Sequence, residues 1–253
     1  MSGHSKWHNI RLKKGKADAQ RGTLFTKLSK EIIVAAKSGV ADPDANFRLK
    51  LAIAKARDAN MPQDNINRAL ARAAGEAKGD KLLEIRYEGY GPGGVAVIVD
   101  ALTDSRNRTA SEMRYVFSRH GGNLGQSGCV AWLFDERGVI VVQADALGEE
   151  ALLQWIGLDG VVDVVRDDGN VDIVTEPHAL SAVRAQVEHS ILRAGAGSVV
   201  SAAFELVPKS RVAVSPADSR AVLALLAALE EHQDVSGVYS NADIAESLLE
   251  AYA

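Results

Sequence analysis

Apolar residues recur at helical spacing through roughly the first third of the chain and at period two or in β-branched runs after it. From Ala17 to Lys37, Leu24, Phe25, Leu28, Ile32 and Ala35 return every three or four residues, which predicts a helix. Gly39 and the turn Ala41-Asp42-Pro43-Asp44 end it. A second helix is predicted from about Asn46 to Asp58, with Phe47, Leu51 and Ala54 on one face. A third starts at Pro62, placed as a first helical residue, with Ile66, Ala69, Leu70 and Ala73 in register and Gly75 closing it. Gly79-Asp80 reads as a linker.

After Lys81 the pattern changes. Leu83 to Glu88 alternates as a half-buried strand, and Val95 to Val99 reads as a more buried one. Thr109 followed by Glu112 is a capping-box pattern, predicting a helix over about Thr109–His120 that Gly121-Gly122 stops. Gly128–Phe134 and Gly138–Val142 read as strands, and Glu149–Ile156 as a helix. Two strands at Val161–Arg166 and Asn170–Thr175 are joined by the hairpin signal Asp168-Gly169. A helix at His178–Ala194, a strand at Val199–Leu206, a helix at Pro216–His232 and a strand at Asp234–Tyr239 complete the pattern. Hairpins with helices over one face predict an α+β chain: a helical bundle with a polar N-terminal arm, then two small α/β units with antiparallel sheets. The expected boundaries are residues 1–80 for the bundle, 81–135 with 208–253 for a discontinuous middle unit, and 136–207 for a unit inserted into it.

Charge divides along the same line. Residues 1–80 carry 16 Lys and Arg against 8 Asp and Glu, whereas residues 81–253 carry 13 against 25. The formal net charge of −4 hides this partition. A basic part on an acidic chain points to a polyanion contact confined to that part. The bias is strongest at the start, where Lys6, Arg11, Lys13, Lys14, Lys16 and Arg21 face Asp18 alone. Trp7 beside Lys6 fits a base-stacking residue flanked by phosphate-binding cations. It fits a hydrophobic pin against the first helix equally well, and a merely solvated basic face remains the plainer account of the cations.

The composition, 47% hydrophobic and 25% charged over 253 residues, is that of an ordinary globular protein and excludes disordered and collagenous classes. Cys129 is the single cysteine, so no internal disulfide forms, which fits a reducing compartment and a cytoplasmic location. The longest clean apolar run, Ala221–Leu229, is nine residues against the roughly twenty a membrane span needs. The N-terminus has no apolar h-region, and its basic stretch runs directly into helical sequence, unlike a transit peptide.

Candidate chemistry is sparse. Gly89-Tyr90-Gly91-Pro92-Gly93-Gly94 matches G-x-G-x-x-G in form, but a strand follows it, so it reads as a glycine-rich hairpin turn flanked by Tyr87 and Tyr90. Arg106 and Arg108 lie at a helix start, where cations oppose the macrodipole. A bound anion would offset that placement, and so would pairing with Asp100 or Asp104. His4 and His8 lack further ligands, and His120, His178, His189 and His232 stand singly, so no metal site is expected. Cys129, in an apolar strand, reads as a small core residue, and Glu149-Glu150 and Glu230-Glu231 as solvated helix ends. With no nucleophile elbow, P-loop or tuned carboxylate pair, the chain is expected to be non-enzymatic and cofactor-free.

Several motifs together resemble the YebC/PmpR family. They are Ser2-Gly3-His4-Ser5-Lys6-Trp7, Leu24-Phe25-Thr26-Lys27, Ala59-Asn60-Met61-Pro62 with Asp64-Asn65-Ile66, Tyr87 to Gly94, Thr103-Asp104 with Arg106-Asn107-Arg108-Thr109, and His120 to Gly125. The similarity runs in order from residue 2 to about 240. It implies a helical N-terminal domain and two α/β domains of ferredoxin-like character, the last inserted into the middle one. It also implies a probable transcriptional regulator with nucleic-acid contact. Mitochondrial relatives of this kind are translational activators, and bacterial ones are linked to the ribosome. Carried onto this chain, the implied contacts are Lys6, Trp7, Arg11, Lys13, Lys14, Lys16, Arg21, Lys27, Arg106 and Arg108. His8 stands where small residues such as Ala are expected. The residues themselves lean toward RNA or the ribosome as partner, because positioning charge is clearer than base readout. Promoter DNA is the alternative: Arg48, Lys50, Lys55, Arg57, Asn65, Asn67 and Arg68 leave room for a recognition helix, although no helix-turn-helix signature stands out.

Overall fold

Three amphipathic helices open the computed structural model, which describes residues 18–75, 82–143, 148–167, 169–195, 197–245 and 247–249. Helix α1 spans Asp18–Lys37, α2 Phe47–Asp58 and α3 Gln63–Ala74. Leu28, Ile32 and Ala35 of α1 pack with Leu49, Ala52, Ile53 and Ala56 of α2 and Ile66 and Ala69 of α3. Full burial of a side chain such as Leu28 or Ile32 contributes about 1.5–3 kcal/mol. Asn46 fixes the turn between the first two helices. Its Oδ1 accepts from the Leu49 N–H at 3.0 Å as the N-cap, and its Nδ2 donates to the carbonyls of Ala35 and Val40 at 2.8 and 2.9 Å. Pro62 precedes α3 as its cap residue rather than opening it.

The first sheet holds β1 (Leu83–Tyr90), β2 (Ala96–Thr103), β3 (Asn123–Leu124) and β9 (Val235–Ser240), in the order β3-β1-β2-β9. All three pairings are antiparallel. Helices α4 (Arg106–Arg119) and α7 (Pro216–Glu231) bring Met113, Phe117, Val222, Leu226 and Leu229 into one core with Val97, Val99 and Ala101. Strand alternation sends Ile98 to the other face, and α1 lies against β2 and β9. The glycine-rich segment is a hairpin turn, as expected. A 3-10 turn at Pro92–Gly94 joins β1 to β2, and Gly93 and Gly94 take φ of 69° and 77°.

The second four-stranded sheet holds β4 (Phe134–Gln143), β5 (Val161–Asp167), β6 (Asn170–Thr175) and β7 (Ser198–Pro208), in the order β5-β6-β4-β7 and again antiparallel. Helix α5 (Glu149–Ile156) connects β4 to β5, and α6 (Leu180–Ala194) connects β6 to β7. This is the split β-α-β arrangement of ferredoxin-like folds. The first sheet differs in joining its two central strands directly. A short parallel pair, β8 (Val212–Ala213) with β10 (Ala242–Asp243), completes the strands among the described residues. The chain is thus α+β, with N-terminal helices and antiparallel sheets. It divides into two compact units, one of Phe134–Lys209 and one holding α1–α3, the first sheet and the return from Ser210.

Three local expectations are corrected. Helix α4 starts at Arg106 with Ser105 as N-cap, because Ser105 is extended (φ −139°, ψ 97°) and its carbonyl already accepts the Thr109 N–H at 3.1 Å. Thr109 is buried and donates its hydroxyl inward. Residues 128–133 are not a strand: the backbone curls into a 3-10 turn at Ala131–Leu133, around the carboxylate of Glu88, and Cys129 sits half-buried in that curl. Glu230 is buried, although it lies in the last turn of a helix.

Candidate nucleic-acid interface

Of the cations implicated by sequence, Lys6, Arg11, Lys13, Lys14 and Lys16 lie outside the described residues, as does Trp7. Arg21 is exposed on the first turns of α1. Lys27, two turns further, is half-buried, and its Nζ donates to the Glu230 carbonyl at 2.6 Å. Lys50 and Arg57 are exposed on α2. Arg48 pairs with Glu84, Lys55 meets Glu31 at 2.9 Å, and Arg68 turns back to the Asp64 carbonyl and Asn65. Among the described residues, Lys27, Arg48, Lys55 and Arg68 thus have internal partners, and Arg21, Lys50 and Arg57 have exposed side chains.

Arg106 and Arg108 separate in role. Arg106 is exposed in the first turn of α4. Arg108 places Nη2 2.7 Å from Asp234 Oδ2 and 2.9 Å from Asp104 Oδ1. Carboxylates thus stand where a bound anion was the alternative, and they offset the unfavourable placement of a cation near a helix N-terminus. Asp100, the other expected partner, instead takes Arg86 in a two-point pair at 2.7 and 2.8 Å.

Asp234, one residue before β9, is the centre of this region. Its side chain is 1% exposed. Oδ1 accepts from Lys30 Nζ at 2.6 Å, and Oδ2 accepts from Arg108 and from Thr109 Oγ1 at 2.9 Å. Burial alone would raise this carboxyl's pKa. The donors Lys30, Arg108 and Thr109 overcome that and hold it well below the ordinary carboxylate range. Beside it, His232 Nδ1 accepts the Asp234 backbone N–H at 3.1 Å, and Nε2 lies 2.8 Å from Glu112 Oε2. His232 is therefore not solitary, as its sequence surroundings suggest. Ligand atoms of Glu112, His232 and Asp234 fall within 4.8 Å of one another, a spacing open to a cation. The acceptors of Asp234 are already taken by the protein's own donors, so the cluster works as an internal junction of α1, α4 and β9.

A second buried carboxylate is treated differently. Glu88 on β1 is 4% exposed. It accepts the backbone N–H groups of Gly128 at 2.7 Å, Val130 at 2.9 Å and Ala131 at 2.8 Å. Burial pushes its pKa up, and these three donors, with Arg86 nearby, bring it below its usual value. Two aromatic residues, Tyr90 at the end of β1 and Trp132 on the captured loop, bring their polar atoms to one acceptor. Tyr90 Oη and Trp132 Nε1 each donate to the Cys129 carbonyl at 3.1 Å. Both rings stay exposed, Tyr90 at 40% and Trp132 at 65%. Glycine permits the close approach that builds this edge: a Cβ on Gly122 would sit 2.6 Å from the Tyr90 carbonyl oxygen. Sequence reading marked Tyr90 but missed Trp132, Glu88 and Asp234. Trp132 was hidden in an apparent strand, and no local pattern announces which acid a distant loop will enclose.

An α+β chain with an N-terminal helical part and two antiparallel sheets defines the class. Residues 5–76 match the TACO1/YebC protein N-terminal domain, and residues 82–242 match the TACO1/YebC second and third domain. The chain belongs to this family, which bears out the YebC/PmpR resemblance. It is 47% identical over 253 residues to a probable transcriptional regulatory protein of Natranaerobius thermophilus, covering 99% of both chains. It is 50% identical over 255 residues to one of Moorella thermoacetica, covering 99% of this chain and 98% of that one. The crystal structure of a conserved hypothetical protein from Aquifex aeolicus is similar, with a TM-score of 0.82 at 46% identity, covering 92% of this chain and 95% of that one.

Proposed function

We propose that the chain is a non-enzymatic, nucleic-acid-binding regulator of gene expression, a translation factor that acts in the cytoplasm on RNA or the ribosome. The observation that carries this is the charge partition: an excess of basic residues in 1–80 joined to a strongly acidic remainder. Phosphate neutralisation gives such a segment its affinity, while the acidic remainder suppresses adhesion elsewhere. Lys6, Arg11, Lys13, Lys14, Lys16, Arg21 and Arg106 are the proposed phosphate contacts, with Trp7 as a stacking residue. Lys27 and Arg108 support that surface from inside, by holding α1 and α4 in place. The alternative, a DNA-binding transcriptional regulator, is favoured by the names its relatives carry.

Binding to random duplex DNA, a promoter fragment and ribosomal RNA across a salt series tests the proposal. All three affinities should fall steeply with salt, and Lys13→Ala with Lys14→Ala should lower the salt slope by about two. A large preference for one DNA sequence overturns the RNA reading. Absence of binding to any of the three overturns the nucleic-acid reading as a whole.

A further inference from the structure

The Cys129 carbonyl anchors two exposed aromatic side chains, and the way they are anchored restricts what they can bind. Tyr90 and Trp132 come from different elements, the end of β1 and the turn after Val130, and both use their only N–H or O–H donor on that single oxygen. The loop beneath them is fixed by Glu88, which holds three of its N–H groups. The rings are thus pre-positioned, exposed, and stripped of free hydrogen-bonding hydrogens. A peptide ligand presents carbonyl acceptors and calls for such donors in an aromatic groove; a nucleobase calls only for a π-face.

The charge around the platform agrees. Residues 113–134 contain Arg114, Arg119 and His120 and no Asp or Glu, although residues 81–253 as a whole are strongly acidic. Arg119 ends α4 with its guanidinium 5.9 Å from the centre of the exposed Tyr115 ring. It precedes Gly122, the residue packed on the Tyr90 carbonyl, by three positions, at most about 11 Å of chain. Among the described residues, Glu88 and Asp218 lie near the platform's backbone and are both engaged. Glu88 is buried in its ring of N–H donors, and Asp218, beside Gly93, is held by Ser215 Oγ at 2.7 Å. A phosphate chain can therefore pass over this edge without meeting an unpaired acid from either.

We propose that Tyr90 and Trp132 form a stacking platform for unpaired bases, so that the nucleic acid is single-stranded where it meets this face. The proposal rests on the nucleic-acid reading above and narrows it to single-stranded RNA at this second contact, on the sheet rather than on the basic arm.

The test measures fluorescence anisotropy of a labelled, unstructured 12-nucleotide RNA, and of the same sequence as a duplex, with the full chain over a salt series. Trp132→Ala should weaken single-strand binding by roughly fivefold or more and leave duplex binding unchanged. The salt slope should stay as it is, because no phosphate contact is lost. Trp132→Phe and Tyr90→Phe, which keep a ring but lose the donor, should restore most of the affinity, and circular dichroism melts check that each variant is folded. Wild-type binding to the single strand that neither Trp132→Ala nor Tyr90→Ala weakens overturns the platform while the nucleic-acid reading stands. No wild-type binding to either RNA overturns both. Binding of a decaproline peptide that Trp132→Ala abolishes, with RNA binding unaffected, assigns the face to peptide and overturns the proposal.

Discussion

Two buried carboxylates in the same unit are stabilised by opposite means, and each does a different task. Asp234 is neutralised by side chains that arrive from far away in sequence: Lys30 from α1 and Arg108 and Thr109 from α4. Glu88 is stabilised by main-chain dipoles from one short loop. A buried charge needs compensation in either case. Side-chain counter-ions make the charge a junction between elements. Backbone donors make it a mould, since the loop must curl to aim three N–H groups at one carboxylate. The first solution fixes how the helical part meets the sheet; the second fixes the edge that carries Tyr90 and Trp132.

The largest effect should come from breaking the junction. Asp234→Ala leaves Lys30 and Arg108 without their shared acceptor and Thr109 Oγ1 buried with fewer partners. We expect a loss of about 2–3 kcal/mol in a denaturant titration, at or below the low end for a broken buried pair. Arg108 is 40% exposed and regains water once released, which limits the loss. A loss below about 0.5 kcal/mol, the scale of an ordinary surface substitution, would mean that the junction is not holding the two parts together.

The mould should respond more weakly and more locally. Glu88→Gln keeps the shape but removes the charge and turns one acceptor into a donor facing an N–H. We expect a loss of about 1–2 kcal/mol, with amide exchange at Gly128, Val130 and Ala131 quickening more than elsewhere. Acid should act in the same direction on both sites. The folded pKa values of Glu88 and Asp234 are lowered, so their stabilisation is complete above the unfolded carboxylate value of about 4 and is lost as pH falls below it. Unfolding free energy measured from pH 6 to pH 2.5 should therefore fall less steeply in Glu88→Gln than in the wild type. A parallel pair of curves would mean that Glu88 carries no net proton linkage.

The sequence exposed the outline better than these sites. Helix periodicity located Leu28, Ile32 and Ile66 in the core, and alternation with hairpin signals located β1, β2, β5 and β6, because local pattern is what those elements depend on. It failed at Thr109 and at 128–133, where a distant carboxylate outweighs local preference. Thr109 looks like a cap until Asp234 is placed beside it. Residues 128–134 look like a strand until Glu88 takes the N–H groups that a ladder would use. Among the described cations, Lys27 and Arg108 needed Glu230, Asp104 and Asp234 in view before they could be read as internal contacts.

Lys27 and Lys30 sharpen the contrast at the smallest scale. They lie three residues apart on α1, but Lys27 meets the Glu230 carbonyl in the last turn of α7 and Lys30 the buried Asp234 carboxylate in the connection to β9. A lysine donating to a neutral carbonyl gains less than one compensating a buried charge. Lys27→Ala should therefore lower stability by about 0.5–1 kcal/mol, less than Lys30→Ala under the same conditions. Because its Nζ is directed to Glu230, the substitution should also leave the salt slope of nucleic-acid binding unchanged, whereas Arg21→Ala lowers it by about one. A slope that drops with Lys27→Ala at constant stability would move Lys27 from the junction to the phosphate surface and reduce the link between α1 and the sheet to Lys30 and Asp234.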